Sequence, residues 1–273
     1  KTLMVKAHVR SFLKNNLKPN DFQIGQFDSF EGSSSELELL ISNSPGGWSI
    51  DKQVAKLLVS LLLERKLTRV IEFGAGYSTL IFKYFFEESG RPYKLISVEQ
   101  NADWFKVPEP LTNLFSKFSI PLVIAPVTFK IGYLGIYARY ELNDEKEVPD
   151  GIELQVVDGP QYYFGREGAL DFTWKKLIPG ALILMDDAER YGEQCVIYKW
   201  LQVYQGLELV YFNEKFGDKG LAILRVGSTL KKKVSLPVFV FGLYQGIKRY
   251  WNLKVIKSNL KGSIQRSSLM KLN

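Results

Sequence analysis

The chain of 273 residues holds one cysteine, Cys195, and one histidine, His8. An internal disulfide is therefore excluded, as are zinc sites built on a cysteine cluster and any mechanism that needs two histidines. Neither residue has companions that point to nucleophilic catalysis. Long apolar runs are also missing. The longest, Leu236 to Tyr244, falls well short of the ~18 residues of a spanning helix. The start lacks the charge, apolar core and small-residue cleavage site of a signal peptide, so a cytoplasmic setting is expected. Because the first residue is Lys1 and not methionine, a fragment is equally expected. No internal repeat is visible. What is present, 46% hydrophobic and 14% aromatic residues, is enough for a sizeable core and rules out global disorder.

Acidic residues are missing from one region altogether. From Ser228 to Asn273 there are ten Lys or Arg and no Asp or Glu, so the tail carries +10 of a net +7 and the remainder −3. The body's charge therefore gives no reason to expect nucleic acid. Lys231-Lys232-Lys233, Lys248-Arg249 and the aromatics Phe239, Phe241, Tyr244, Tyr250 and Trp251 suit peripheral contact with an anionic membrane. The simpler reading is an extension that packs on the body or on a second copy in a homo-oligomer.

Along the chain, residues 1–44 read as a lightly helical lead-in, with a loop at Gly32-Ser33-Ser34-Ser35 and a Pro/Gly turn at 45–47. Ser49 or Asp51 can cap a helix whose apolar positions Val54, Leu57, Leu58, Leu61 and Leu62 recur at helical spacing. Strands are predicted at 69–73, 94–98, 122–125, 153–157 and 181–185, with helical stretches such as 78–88 between them. A closing pair at 207–212 and 221–226 has no helix between its members and must be an antiparallel hairpin. The pattern predicts an α/β fold, a Rossmann-like doubly wound sheet, mostly parallel with an antiparallel final strand. The expected organisation is a lead-in (1–44), a catalytic domain (45–227) and a basic C-terminal extension (228–273).

The most informative segment is Val70-Ile71-Glu72-Phe73-Gly74-Ala75-Gly76-Tyr77-Ser78-Thr79. A buried strand enters Gly-x-Gly and then a helix that Ser78 or Thr79 can cap. Glycines there let backbone approach a ligand, and the helix start offers free N–H groups. Glu72 is placed to act on a positive or hydroxyl-bearing part of that ligand. Glu99 ends the next strand 23 residues after Gly76, a spacing at which an acid reaches a ribose diol. The third glycine of a dinucleotide fingerprint is absent, which weakens a reading as an NAD- or nucleotide-sugar-dependent oxidoreductase.

On Glu72-Phe73-Gly74-Ala75-Gly76, Glu99 and the closing hairpin, the chain resembles the class I S-adenosylmethionine-dependent methyltransferases over roughly residues 45–227. The resemblance implies that Gly74, Ala75 and Gly76, with Ser78 and Thr79, line S-adenosylmethionine, that Glu99 takes the ribose hydroxyls, and that Trp48 and Ser49 cover the cofactor. Acids also end the later strands, in Val157-Asp158-Gly159-Pro160 and Met185-Asp186-Asp187, where ligands bind in an open sheet. Three hard oxygen donors suit Mg2+. This arrangement is similar to metal-dependent small-molecule and sugar O-methyltransferases, which implies Asp158, Asp186 and Asp187 as metal ligands, with Asp158 also beside the cofactor. The alternative is that Asp158 or Asp186 caps a loop or pairs with Arg166 or Arg190.

Those relatives often carry a lysine or histidine base soon after the first of these acids. Here Gln161-Tyr162-Tyr163-Phe164-Gly165-Arg166 follows, which leaves Asp158 or Asp187 as base, with Tyr162 a weaker candidate. Gln161, Tyr162, Arg166 and Arg190 are expected to hold a small-molecule or saccharide acceptor. The missing base also keeps open a non-catalytic, cofactor-binding scaffold.

Overall fold

The computed structural model describes residues 2–18, 22–24, 34–44, 49–142 and 148–269. The turn expected at 45–47, Trp48, and Gly32-Ser33 lie outside them.

The apolar runs of the sequence form the middle of a seven-stranded sheet. Strands β1 (Arg69–Phe73) and β6 (Ile152–Val157) pair in parallel at its centre. On one side follow β2 (Lys94–Glu99) and β3 (Leu122–Ile124). On the other lie β7 (Leu177–Asp186), β9 (Leu221–Lys232) and β8 (Tyr204–Asn213), giving the order β3-β2-β1-β6-β7-β9-β8. Only β9 runs against the rest, as the closing hairpin requires. Successive strand residues point to opposite faces. Val70, Leu154 and Leu182 thus meet α3 (Lys52–Arg65) and α4 (Tyr77–Ser89), while Ile71, Val157 and Ile183 meet α7 (Tyr191–Val203); the short α5 (Thr112–Phe115) precedes β3 and α6 (Gly168–Thr173) precedes β7. Asp51, not Ser49, caps α3, its Oδ1 accepting the N–H groups of Gln53 (2.7 Å) and Val54 (3.0 Å).

The expected lead-in and tail are parts of this body. Helix α1 (Thr2–Asn15) buries Val9 and Leu13 against α7, and α2 (Ser35–Ser42) buries Leu37, Leu40 and Ile41 with α3 and α4. The expected boundary at 227/228 falls inside β9, which continues to Lys232.

Two further elements were not anticipated. A hairpin of β4 (Val127–Gly132) and β5 (Gly135–Tyr140) forms a second, two-stranded sheet, and helix α8 (Leu236–Leu269) lies across it. A Cβ on Gly242 would stand 1.8 Å from the Leu134 carbonyl oxygen, and one on Gly246 would stand 2.4 Å from Ile136 Cβ. Only hydrogen fits at these two contacts. Charge secures the same helix. Arg249 Nη1 donates to both Glu167 oxygens, at 2.7 and 2.8 Å, while Lys199 donates to Glu167 and, at 2.8 Å, to Gln245 of α8. Lys199 and Glu167 are fully buried. Burial alone would raise Glu167, but Arg249 and Lys199 hold it down at about 2.

The extension is therefore not a removable tail. Gly242→Leu should lower the unfolding free energy by ~1–3 kcal/mol through overpacking, and a chain ending at Val226 should aggregate. Denaturant titration and size-exclusion chromatography check both, and a soluble, cooperatively folding truncation would contradict the packing.

Candidate active site

Strand β1 ends where the sheet order reverses, between β2 and β6. Its last carbonyl, on Phe73, accepts the Asp158 N–H at 2.8 Å, and the Gly74 N–H reaches the Val98 carbonyl at 2.8 Å. The chain must then clear the end of β6. It does so at Gly74, whose φ is +94° and where a Cβ would lie 2.7 Å from the Gly159 nitrogen. The glycine of the turn is required by close approach as well as by its left-handed backbone.

Behind this turn sits Glu72, fully buried. One of its oxygens accepts from Ser78 and the other from Thr79 at 2.5 Å, and Thr79 Oγ1 accepts the Gly76 N–H at 3.0 Å. Burial pushes the Glu72 carboxyl up to about 7, against the hydroxyls that favour its charge. Glu72 and Thr79 thus fix the turn from inside and do not line the cavity, contrary to the expectation that they meet a ligand. Ser78 does line it, but its hydroxyl is committed to Glu72. Gly76, not Ser78 or Thr79, occupies the cap position of α4.

In front of the turn is a cavity of about 250 Å³ that brings Gly74, Ala75, Gly76, Glu99, Asp158 and Asp187 together with Gln161, Tyr162, Arg166 and Arg190. Glu99 is mostly buried, which raises its carboxyl, and its Oε1 accepts the N–H groups of Gln100 (2.7 Å) and Asn101 (3.1 Å). Ser49 is on the rim, its carbonyl accepting from Lys219 Nζ at 3.0 Å.

The three acids do converge: one oxygen from each of Asp158, Asp186 and Asp187 lies within 4.8 Å of the others. A guanidinium already bridges them. Arg166 Nη2 donates to Asp158 Oδ1 at 2.9 Å and to Asp187 Oδ2 at 2.7 Å, and Nη1 donates to the Asp186 carbonyl at 2.9 Å. Arg190 Nη1 adds a second bond to Asp187 Oδ2 at 2.7 Å. Asp186 is not among the lining residues, and its nearest cation is Lys219 at 3.8 Å. A dication needs several oxygen donors free of competing hydrogens and repels a fixed guanidinium beside them. The alternative pairing of Asp158 with Arg166 is the one formed and weighs against a dication there, although Asp186 Oδ1 and Asp187 Oδ1 are buried with no partner among the described residues. Burial would strip charge from Arg166, but Asp158, Glu193, Asp187 and Asp186 raise its pKa. Burial also raises Asp158, with Arg166 opposing and Asp187 reinforcing the shift.

Several lining residues escaped the sequence reading. Trp104, Lys106 and Pro108 follow Glu99, Lys219 comes from the loop before β9, and Tyr140 ends β5. The Tyr140 ring stacks on Phe73 with centroids 5.7 Å apart, and its buried hydroxyl has no partner among the described residues. The available signal for that strand was Gly132 and Gly135 flanking a two-residue turn after the β-rich Val127-Thr128-Phe129 run.

No protein-family model matches the chain, and no curated protein sequence does. By structure it is similar to an S-adenosylhomocysteine-bound methyltransferase of Podospora anserina, 13% identical, with a TM-score of 0.50 over 82% of this chain and 96% of that one. An O-methyltransferase of Bacillus cereus in complex with S-adenosylhomocysteine, also 13% identical, aligns over 75% of this chain and 100% of its own with a TM-score of 0.46. The strand order with its single reversed strand, together with the first of these likenesses, gives the chain the class I methyltransferase fold.

Arg166 is expected to be a major structural cation. Arg166→Ala leaves Asp158 and Asp187 buried without it and should cost ~3–5 kcal/mol in urea unfolding at neutral pH. The deficit should shrink in acid, as Asp158 takes up its proton. A variant as stable as the parent would show that the guanidinium is dispensable.

Proposed function

We propose that the chain is an S-adenosylmethionine-dependent methyltransferase that methylates a hydroxyl of a small molecule or saccharide without a metal ion. The observation that carries this reading is one cavity holding the glycine turn, Glu99 and the ionisable Asp158 at the switch point of the sheet. The residues suit the cofactor. A Cβ at Gly76 would meet no atom within 4 Å, so that backbone faces open cavity, and Glu99 is anchored through Oε1 by two N–H groups. On this reading Gly74, Ala75 and Gly76 lie along the cofactor, Glu99 accepts from its ribose hydroxyls, and Trp104 and Pro108 flank the nucleoside end.

Bound S-adenosylmethionine supplies an electrophilic methyl on sulfonium sulfur. Asp158 would accept the proton of the acceptor hydroxyl, leaving an oxygen to which the methyl supplied by the cofactor could pass. Arg166 holds one Asp158 oxygen, which fixes the carboxylate for that transfer. Asp187 is a poorer base, because its Oδ2 already takes hydrogen bonds from two arginines. Its role is to position Arg166 and Arg190. At the rim, Tyr162 is exposed and the Arg190 guanidinium stands 5.8 Å from its ring centroid, an arrangement suited to stacking a sugar and pairing with an acidic or hydroxylated substituent. Catalysis then comes mainly from alignment and from making the oxygen anionic.

Calorimetry should show saturable binding of S-adenosylhomocysteine, and Glu99→Ala should weaken it about 10- to 150-fold through loss of a ~1.5–3 kcal/mol charge-assisted contact. Unchanged affinity would remove Glu99 from the cofactor site, and saturation by NAD instead would redirect the assignment to an oxidoreductase.

With a methyl acceptor in hand, the rate should fall as pH drops through about 6, where Asp158 takes up its proton. Asp158→Asn should abolish that dependence together with most of the activity, and a chelator should leave the rate intact. Activity lost to the chelator and restored by Mg2+ would refute the metal-free mechanism.

A further inference from the structure

Helix α8 has two faces with opposite partners. Val238, Gly242, Gly246 and Arg249 turn to the body. On the other side, Leu236, Val240, Tyr244, Ile247 and Trp251 recur at intervals of four, four, three and four residues. That spacing places them on one stripe of a helix. All five are exposed, from 49% at Ile247 to 68% at Leu236. The stripe continues onto the β4–β5 hairpin, where Ile131 is 72% exposed and Tyr133 45%. An apolar groove of about 300 Å³ joins the two where Ile131, Ile247 and Trp251 meet. A contiguous patch of this kind marks a surface that something covers.

The charge around the patch selects the occupant. Exposed Lys231 and Lys233 precede the helix, and Lys248 and Lys254 flank the stripe, in a segment with ten basic residues and no acid, of which Lys232 and Arg249 are turned inward and paired with Asp171 and Glu167. Lys254 Nζ lies 5.0 Å from the Tyr250 ring centroid and 5.5 Å from that of Trp251. Among the described residues, Glu141, directly after β5, is paired with Lys130 at 3.6 Å. A second copy of the chain would bring the same positive segment against this one. A nucleic acid would satisfy the charge and leave the aliphatic stripe wet. A lipid surface with anionic headgroups satisfies both, because apolar side chains enter the acyl boundary while lysines stay among the phosphates. No helix among the described residues is long and apolar enough to cross a membrane, so the helix would lie along the surface.

We infer that the outer face of α8, with the tip of the β4–β5 hairpin, is a docking surface for an anionic lipid membrane. This surface is separate from the cavity and does not depend on the methyltransferase reading. Its inner face is integral to the fold, so the test keeps the full chain and alters only exposed side chains.

The full chain should co-sediment with vesicles of phosphatidylcholine and phosphatidylglycerol, and much less with phosphatidylcholine alone. High salt should weaken the binding as the charges are screened. Val240→Glu with Trp251→Glu should lower partitioning at least about tenfold at unchanged circular dichroism and melting temperature. Lys248→Glu with Lys254→Glu is the second variant and should abolish the preference for anionic vesicles. A full chain that stays in the supernatant with anionic vesicles would overturn the inference, as would apolar-stripe variants that sediment like the parent. A parent that is dimeric while the Val240→Glu, Trp251→Glu variant is monomeric would assign the stripe to self-association instead. Salt-sensitive binding to an oligonucleotide with none to vesicles would assign it to nucleic acid.

Discussion

Arg166 and Glu167 are consecutive, both buried, and aimed at different partners, and much of the molecule is organised by that pair. Arg166 faces the cavity and gathers the ends of β6 and β7 through Asp158 and Asp187, with Glu193 of α7 at 3.8 Å. Glu167 faces the other way and gathers α7 through Lys199 and α8 through Arg249. Buried charges of this sort gain little over an apolar core when complete, but each is costly to leave alone. The arrangement is therefore cooperative in a specific sense. Removing one member strands the others, so the acids of the cavity and the seat of the C-terminal helix share a structural origin only one peptide bond apart.

This explains how three acids can cluster at the ends of two neighbouring strands. The resemblance to metal-dependent O-methyltransferases rests on acids at the ends of two strands, a pattern that is silent about what lies between them. In this chain the residue eight positions after Asp158 supplies the compensating charge from within. A fixed guanidinium neutralises carboxylates but, unlike a metal ion, offers no open coordination position to polarise a bound hydroxyl. On the proposed reading the chemistry rests on alignment and on a carboxylate base, with Asp158 in the place where a lysine or histidine would otherwise serve.

Much of the sheet was legible in the sequence because its strands are buried on both faces and stand out as apolar runs bounded by Gly, Pro or charge. Glu153 to Val157 and Ala181 to Met185 were visible in this way, and the reversed strand followed from the missing helix between 212 and 221. Hairpin β4–β5 was not legible. Its residues are mostly half-buried, and α8, the helix that covers it, begins only at Leu236, far along the chain from Tyr140 where the hairpin ends. At the candidate site, Gly74, Glu99 and Asp158 stand out in the sequence because Glu99 ends a strand and the other two directly follow one. The inward turn of Glu72 is not legible, since its direction is set by Ser78 and Thr79 hydroxyls, which at a helix start serve equally well as caps.

The same limit applies to the C-terminal segment, where composition suggested two exclusive fates, a packed extension or a lipid anchor. A helix has enough circumference for both. Glycines at 242 and 246 bring the inner face within backbone contact of the hairpin, and a side with no glycine is left to carry Val240, Tyr244 and Trp251 outward. Packing the inner face is what holds the outer residues in one plane, with their orientation settled by the fold before any partner arrives. An unstructured basic tail would have to order on binding and lose affinity to that entropy. Here the ordering is done by Arg249, Gln245 and the glycine contacts, so that anchoring to the body and presenting a surface are two consequences of one packing arrangement.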